Sequence, residues 1–263
     1  MTYSGHALRV SRFLWEDFVA SELEDYFNSA EECAKYETFC AEQERGLEKF
    51  ELADPALVCR WRMSKRQVPL LNRHIRALSH RVVNGAPLTH NMLSWAKQHV
   101  EWSLFEGSYE DPNGVLMLVI DVNGDALMSV GPYEPLPDCS LAALVARAEA
   151  SRTEAAMTGV APELLAWTTC DGSICLCATP DEPLCGVATL VEQLAQTKGC
   201  AVERMLTDDV PLSCALDMAG EGAVPFLISD EHGVALASEI SLAQSEAADV
   251  ARGLSEGVAK LFS

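Results

Sequence analysis

The sequence predicts an α+β fold, a helical N-terminal part followed by an antiparallel sheet flanked by helices. Apolar residues recur at three- and four-residue steps through roughly the first hundred positions, the spacing of one buried helix face. After residue 112 the period changes to two, in three paired runs separated by turn residues, the signature of hairpins. A helical stretch follows each hairpin, and hairpins covered by helices make a layered domain. The chain divides into a helical region at 1–87 and an α+β domain at 88–263.

The first helix is predicted over 8–27, where Phe13, Leu14, Phe18 and Leu23 fall at near-helical spacing. A second carries Cys33, Tyr36, Cys40, Leu47 and Phe50 until Asp54-Pro55 breaks it. A third, over 68–83, aligns Leu71, Ile75, Leu78 and Val82, and Asn84-Gly85-Ala86-Pro87 stops it. A fourth starts at Thr89, places Met92, Trp95, His99 and Trp102 on one face, and ends near Gly107. The first hairpin pairs 115–122 with 126–130 around Asn123-Gly124, which suits a type I′ turn. A helix follows at 140–157. The second hairpin pairs 164–169 with 174–178 around Asp171-Gly172, and its helix spans 187–197 before Gly199. The third pairs 224–229 with 234–240. The last helix begins near Ser245 and aligns Ala247, Val250, Ala251, Leu254, Val258 and Leu261.

With 49% apolar and 22% charged residues the composition is that of a globular chain. The longest apolar run, 115–120, has the length of a strand and not of a membrane span. The first ten residues lack the basic stretch and apolar core of a secretory leader, so a cytoplasmic location is expected. Ten cysteines scattered from Cys33 to Cys214 then read as free thiols in a reducing compartment. The net charge of −20 is lopsided: residues 1–100 hold 13 acidic and 13 basic side chains, residues 101–263 hold 26 and 6. Such a field opposes nucleic acid and anionic membranes. The one basic cluster, Arg60, Arg62, Lys65, Arg66, Arg73, Arg76 and Arg81, reads as a surface docking on the acidic domain or on the glutamate-rich helix before it. The expected partner is a small molecule or a protein, with a homodimer formed through the helices.

The stretch 91–131, a helix running into V-L-M-L-V-I-D-V-N-G-D-A-L-M-S-V-G, resembles the opening helix and first hairpin of a GAF domain. A-V-P-F-L-I-S-D-E-H-G-V-A-L-A at 223–237, with the helix after it, resembles that fold's closing hairpin. The segment 206–211, with Asp208 and Asp209, stands where GAF domains carry a short acidic loop. The helical lead-in is similar to the sensory regions of acetoin- and glycerol-type transcriptional activators. Those regions carry a Glu and a Gly-Thr-Asn segment after the first hairpin; here Glu154 and Gly159 lie nearby without the Thr-Asn. The resemblance implies a sensory module that binds a small molecule and signals through its helical part.

Two further patterns bear on chemistry. Cys170, Cys175, Cys177 and Cys185 put four soft ligands within 16 residues. Metal sites favour two-residue gaps around a tight turn, and no Cys-x-x-Cys occurs, so these are read as core or redox-sensitive thiols, with a metal as the alternative. His74, His80, His90 and His99 show no His-x-x-x-His spacing and read as surface or interhelical residues. H-I-R-A-L at 74–78 and G-V-A-T-L at 186–190 resemble the class IV pyridoxal-phosphate aminotransferases of the branched-chain and aminodeoxychorismate lyase type. That chemistry needs a Schiff-base lysine. No lysine lies between Lys97 and Lys198, and Ala77 and Ala188 stand where the resemblance implies phosphate-binding arginines, which implies an inactive relative. The leading expectation is therefore a GAF-like sensory module in which no catalytic residue is identified and no cofactor is expected, with enzymatic activity left open. An inactive class IV aminotransferase-fold protein and a thiol-based redox or metal sensor are its alternatives.

Overall fold

Hairpin signals alone do not say which hairpins share a sheet, and here they share two. A computed structural model describes residues 52–106, 111–205, 222–240 and 244–263, with isolated positions at 29, 31, 32, 34–36, 38, 39, 41 and 212. The first predicted helix and the acidic segment 206–211 lie outside the described residues. Within the second predicted helix, the described residues from 31 to 41 are helical.

Strand β1 (Pro55–Arg62) pairs antiparallel with β4 (Val115–Asp121), which pairs antiparallel with β5 (Ala126–Gly131). Leu57, Cys59 and Trp61 face the core opposite Ile120, Leu118 and Leu116. That face packs on helix α2 (His90–Glu106) through Met92, Ala96, Val100 and Leu104, and on Leu78 of helix α1 (Leu71–Leu78). Between the two helices, β2 (Val82–Val83) and β3 (Ala86–Pro87) form a short hairpin. The Asn84-Gly85 pair expected to stop a helix instead turns this hairpin, with φ of 51° and 75° at its two residues, the left-handed pair of a type I′ turn. At Asn123-Gly124 only the glycine has positive φ, at 87°. There the Asp121 carboxylate accepts from the amides of Asn123 at 2.8 Å and Asp125 at 3.0 Å, which sets a longer loop.

The second sheet has five strands in the order β10 (Gly233–Leu236), β9 (Val224–Ser229), β6 (Glu163–Thr168), β7 (Ile174–Leu176), β8 (Val202–Arg204). Only β7 and β8 run parallel. Both central strands are buried along their whole length, because helices cover both faces. Leu165, Trp167 and Leu227 face Leu144 and Ala148 of helix α3 (Leu141–Thr158). Leu164, Ala166, Phe226 and Ile228 face helix α4 (Gly186–Thr197) and helix α5 (Glu246–Ala259). Strands buried on both faces read as continuous apolar runs, and V-P-F-L-I is one. Ser140 caps α3 and Ser245 caps α5, each accepting from the amide three residues on.

The expected single GAF-like sheet is therefore corrected. The first hairpin belongs to a sheet completed by β1, while β6 and β9 pair across six residues at the centre of the other. The three-stranded sheet draws on both sides of residue 87.

Candidate functional site

A cavity of about 320 Å³ lies between the two sheets. One wall is Val58, Cys59, Arg60 and Trp61 of β1 with His74, Ala77 and Leu78 of α1; Arg81 follows just beyond α1. Arg147, Ser151 and Glu154 on α3 form a second wall. Glu163 at the start of β6, Ser229-Asp230-Glu231 at the end of β9, and Cys185 before α4 complete it. Sites of this kind collect where elements of two layers end facing one another.

The turn after β9 ties the layers together. Glu231 accepts from Arg60 through two bonds, at 2.5 and 2.8 Å. Asp230, buried, accepts from the Val187 amide at 2.8 Å and the Gly186 amide at 3.4 Å, and its Oδ2 lies 3.1 Å from His74 Nδ1. The open N-terminus of α4 is where an anion is most stable, and the chain's own carboxylate takes it. Burial pushes Asp230 upward, but the His74 charge and hydrogen bond, with the two amides, outweigh it and hold the carboxyl below its ordinary value. His74 Nε2 lies 3.1 Å from the Pro69 carbonyl. Both ring nitrogens thus face oxygen atoms. His74 stacks on Trp61 at 5.2 Å, and a Cβ at Gly186 would come within 2.5 Å of its ring.

Two more arginines line the cavity. Arg81 is only 5% exposed, and Nη1 makes both of its side-chain hydrogen bonds, to Glu154 at 3.0 Å and Thr158 at 2.8 Å. Arg147 donates from Nη2 to Glu163 at 2.7 Å, while its Nε is buried with no hydrogen-bond partner among the described residues.

The four cysteines do not converge. Cys175 and Cys177 pack on the α3 side of the sheet, Cys185 on the α4 side, and Cys170 is exposed. Among the described residues no group of three or more His, Cys, Asp or Glu side chains is placed to hold a metal ion. Burial pushes Cys177 up to about 12 and Cys185 well above its ordinary value, the opposite of a reactive thiolate. Of the histidines read as surface or interhelical, His74 is a buried cavity residue. Its signal was the H-I-R-A-L segment, but Asp230 had none, because its role depends on where α4 begins in space.

No family model matches the chain, and none of the curated proteins does. Solved structures do. A hypothetical aminotransferase from Mycobacterium tuberculosis, in its apo form, is similar at 15% identity and a TM-score of 0.50, over 81% of this chain and 95% of that one. An aminotransferase from Brucella abortus bound to pyridoxal phosphate (PLP) is 12% identical over 80% and 94% of the two chains, with a TM-score of 0.48. The 4-amino-4-deoxychorismate lyase of Pseudomonas aeruginosa is 15% identical over 82% and 93%, with a TM-score of 0.46. The chain has the class IV aminotransferase fold. This corrects the resemblance to GAF domains and activator sensory regions, and with it the sensory and signalling role. The expectation of no cofactor is corrected with it: the hypothetical aminotransferase from Mycobacterium tuberculosis whose fold this chain shares has also been solved in a PLP-bound form.

Whether this cleft suits that cofactor is decided by its residues. No lysine is among those lining the cavity; Lys198 follows the far end of α4. Ala77 lines the cavity and Ala188 is buried in the first turn of α4, where arginines were implied, and Asp230 engages the α4 amides. These residues do not fit a covalently held PLP.

Proposed function

We propose that this class IV aminotransferase-fold chain does not carry out Schiff-base chemistry and that its inter-sheet cavity binds a small molecule non-covalently. The observation carrying the reading is that no lysine lines the cavity among the described residues. Amino-group transfer through PLP needs an amine there to attach and release the cofactor. What remains is a partly apolar cleft edged by paired charges, which suits recognition better than proton transfer. A cytoplasmic location accords with the seven described cysteines, all free thiols. Among the described residues no helix is long and apolar enough to cross a membrane. A protein partner or a second copy of the chain meeting through the helices is part of the same reading.

The test is chemical. Protein incubated with PLP, reduced with borohydride and digested should yield no stoichiometric pyridoxyl-lysine peptide, and should transfer no amino group from any of the common amino acids. A single lysine labelled at one per chain, together with turnover lost on its substitution, would overturn the reading.

A further inference from the structure

We infer that His232 is an acid-operated release for the joint between the two sheets: a proton added to its buried ring opens the turn from Ser229 to Gly233 and frees β1 from the second sheet. The inference goes beyond the ligand reading and holds whatever the cavity binds. That turn carries two neighbouring ties to β1. Glu231 takes Arg60 through two bonds, and the Asp230 carbonyl accepts from the Arg62 amide at 3.2 Å. His232 is the next residue. Its side chain is only 7% exposed, and Nε2 lies 3.8 Å from Glu231 Oε2, the oxygen that accepts from Arg60 Nε. Nδ1 is buried and has no hydrogen-bond partner among the described residues.

The two protonation states of that ring differ in what they demand. A neutral imidazole can leave one nitrogen as an empty acceptor, at the modest cost of an unmade hydrogen bond. An imidazolium carries N–H on both nitrogens, so Nδ1 becomes a charged donor where no acceptor stands. The neighbours do not rescue it. Glu231 in the turn and Glu163 at the start of β6 favour the charge, but Arg60 on β1 and Arg147 on α3 each pair with one of them and oppose it. The Tyr133 ring, 5.9 Å away, already receives the Arg62 guanidinium at 3.8 Å. Burial dominates this balance and holds the His232 pKa below its ordinary value. The closed turn is therefore fully stable above the ordinary histidine range and loses stability as pH falls towards the folded value. Relief requires the ring to reach water. The amides of Glu231 and His232 both donate to Ser229 Oγ at 3.2 Å, so the turn moves as a unit and both ties move with the ring.

The experiment is amide hydrogen exchange by NMR on the full chain at pH 7.5 and at about pH 5, expressed as protection factors so that the intrinsic pH dependence of exchange cancels. The amides of Arg62, Glu231 and His232 should lose roughly tenfold in protection at the lower pH, while those of β6 and β9 keep theirs. His232→Gln, whose side chain is polar but takes no proton, should remove the difference at Arg62 and Glu231. A loss that persists in His232→Gln overturns the inference. So does a loss shared equally by β6 and β9, which is global acid unfolding, or no loss at all. If His232→Gln does not fold, the titration of the His232 ring in the natural protein decides: its midpoint should coincide with that of the exchange, and separate midpoints overturn the inference.

Discussion

Among single residues, His99 carries the clearest consequence for solution behaviour. Its ring stacks on Trp95 with centroids 4.8 Å apart, and burial pulls its pKa from 6.5 to about 4. The folded value lies below the unfolded one, so between the two the unfolded chain binds a proton that the folded chain refuses. Stability is complete above about pH 6.5 and is lost as pH falls towards 4, by an amount on the order of 3 kcal/mol. His232, which burial also lowers, adds in the same direction. Urea midpoints at pH 7.5 and 4.5 should therefore differ clearly in the natural protein and less in His99→Phe. An unchanged pH dependence in the variant would remove His99 as the cause.

At the scale of elements, the start of α4 is the joint on which the cavity depends. Asp230 satisfies two amides there, and its backbone carbonyl accepts from the Arg62 amide at 3.2 Å, so one residue holds α4, α1 and β1 to the second sheet. Asp230→Ala strips the buried His74 and two α4 amides of their common acceptor and should cost roughly 1–3 kcal/mol. Asp230→Asn keeps an acceptor for Val187 and should cost less. Gly186→Ala drives a methyl into the His74 ring, and overpacking of this kind costs about 1–3 kcal/mol. Urea unfolding of the three variants checks this; a loss below about 1 kcal/mol in Asp230→Ala would show that the carboxylate holds nothing. The Asp230 pKa is lowered in the fold, so its contribution is full above the ordinary carboxylate range and disappears as acid reaches its folded value.

Over the whole molecule, charge asymmetry has become contact. Members of the basic cluster reach the acidic part: Arg60 bonds Glu231, Arg81 bonds Glu154, and Arg73 bonds Thr189 and Gln193 on α4. Cations used in this way are unavailable to phosphates, and the net charge of −20 opposes polyanions near the surface even with a Debye length of about 8 Å. Anisotropy titrations with random duplex and single-stranded oligonucleotides should show no binding below millimolar protein at physiological salt. Micromolar, salt-sensitive binding lost in Arg73→Glu with Arg76→Glu would show a nucleic-acid site on α1.

Local pattern alone determined most of the elements. The three hairpins from Val115 onward and the four helices beginning near 90, 141, 186 and 246 were legible because period and turn residues are properties of neighbours along the chain. The absence of a lysine between Lys97 and Lys198 was legible in the same way. Strand β1 carries a period-two signal as well, Leu57, Cys59, Trp61 and Met63 alternating with Val58, Arg60 and Arg62, directly after the Asp54-Pro55 break. Which hairpins share a sheet was decided by the tertiary structure alone. A hairpin has two open edges, and only long-range pairing selects their partners: β1 takes the edge of β4, and β6 meets β9 across some sixty residues of chain. The cavity follows from that choice. His74 and Arg81 lie far in sequence from Arg147 and Asp230, and only the packing of one sheet against the other brings the four to one cavity.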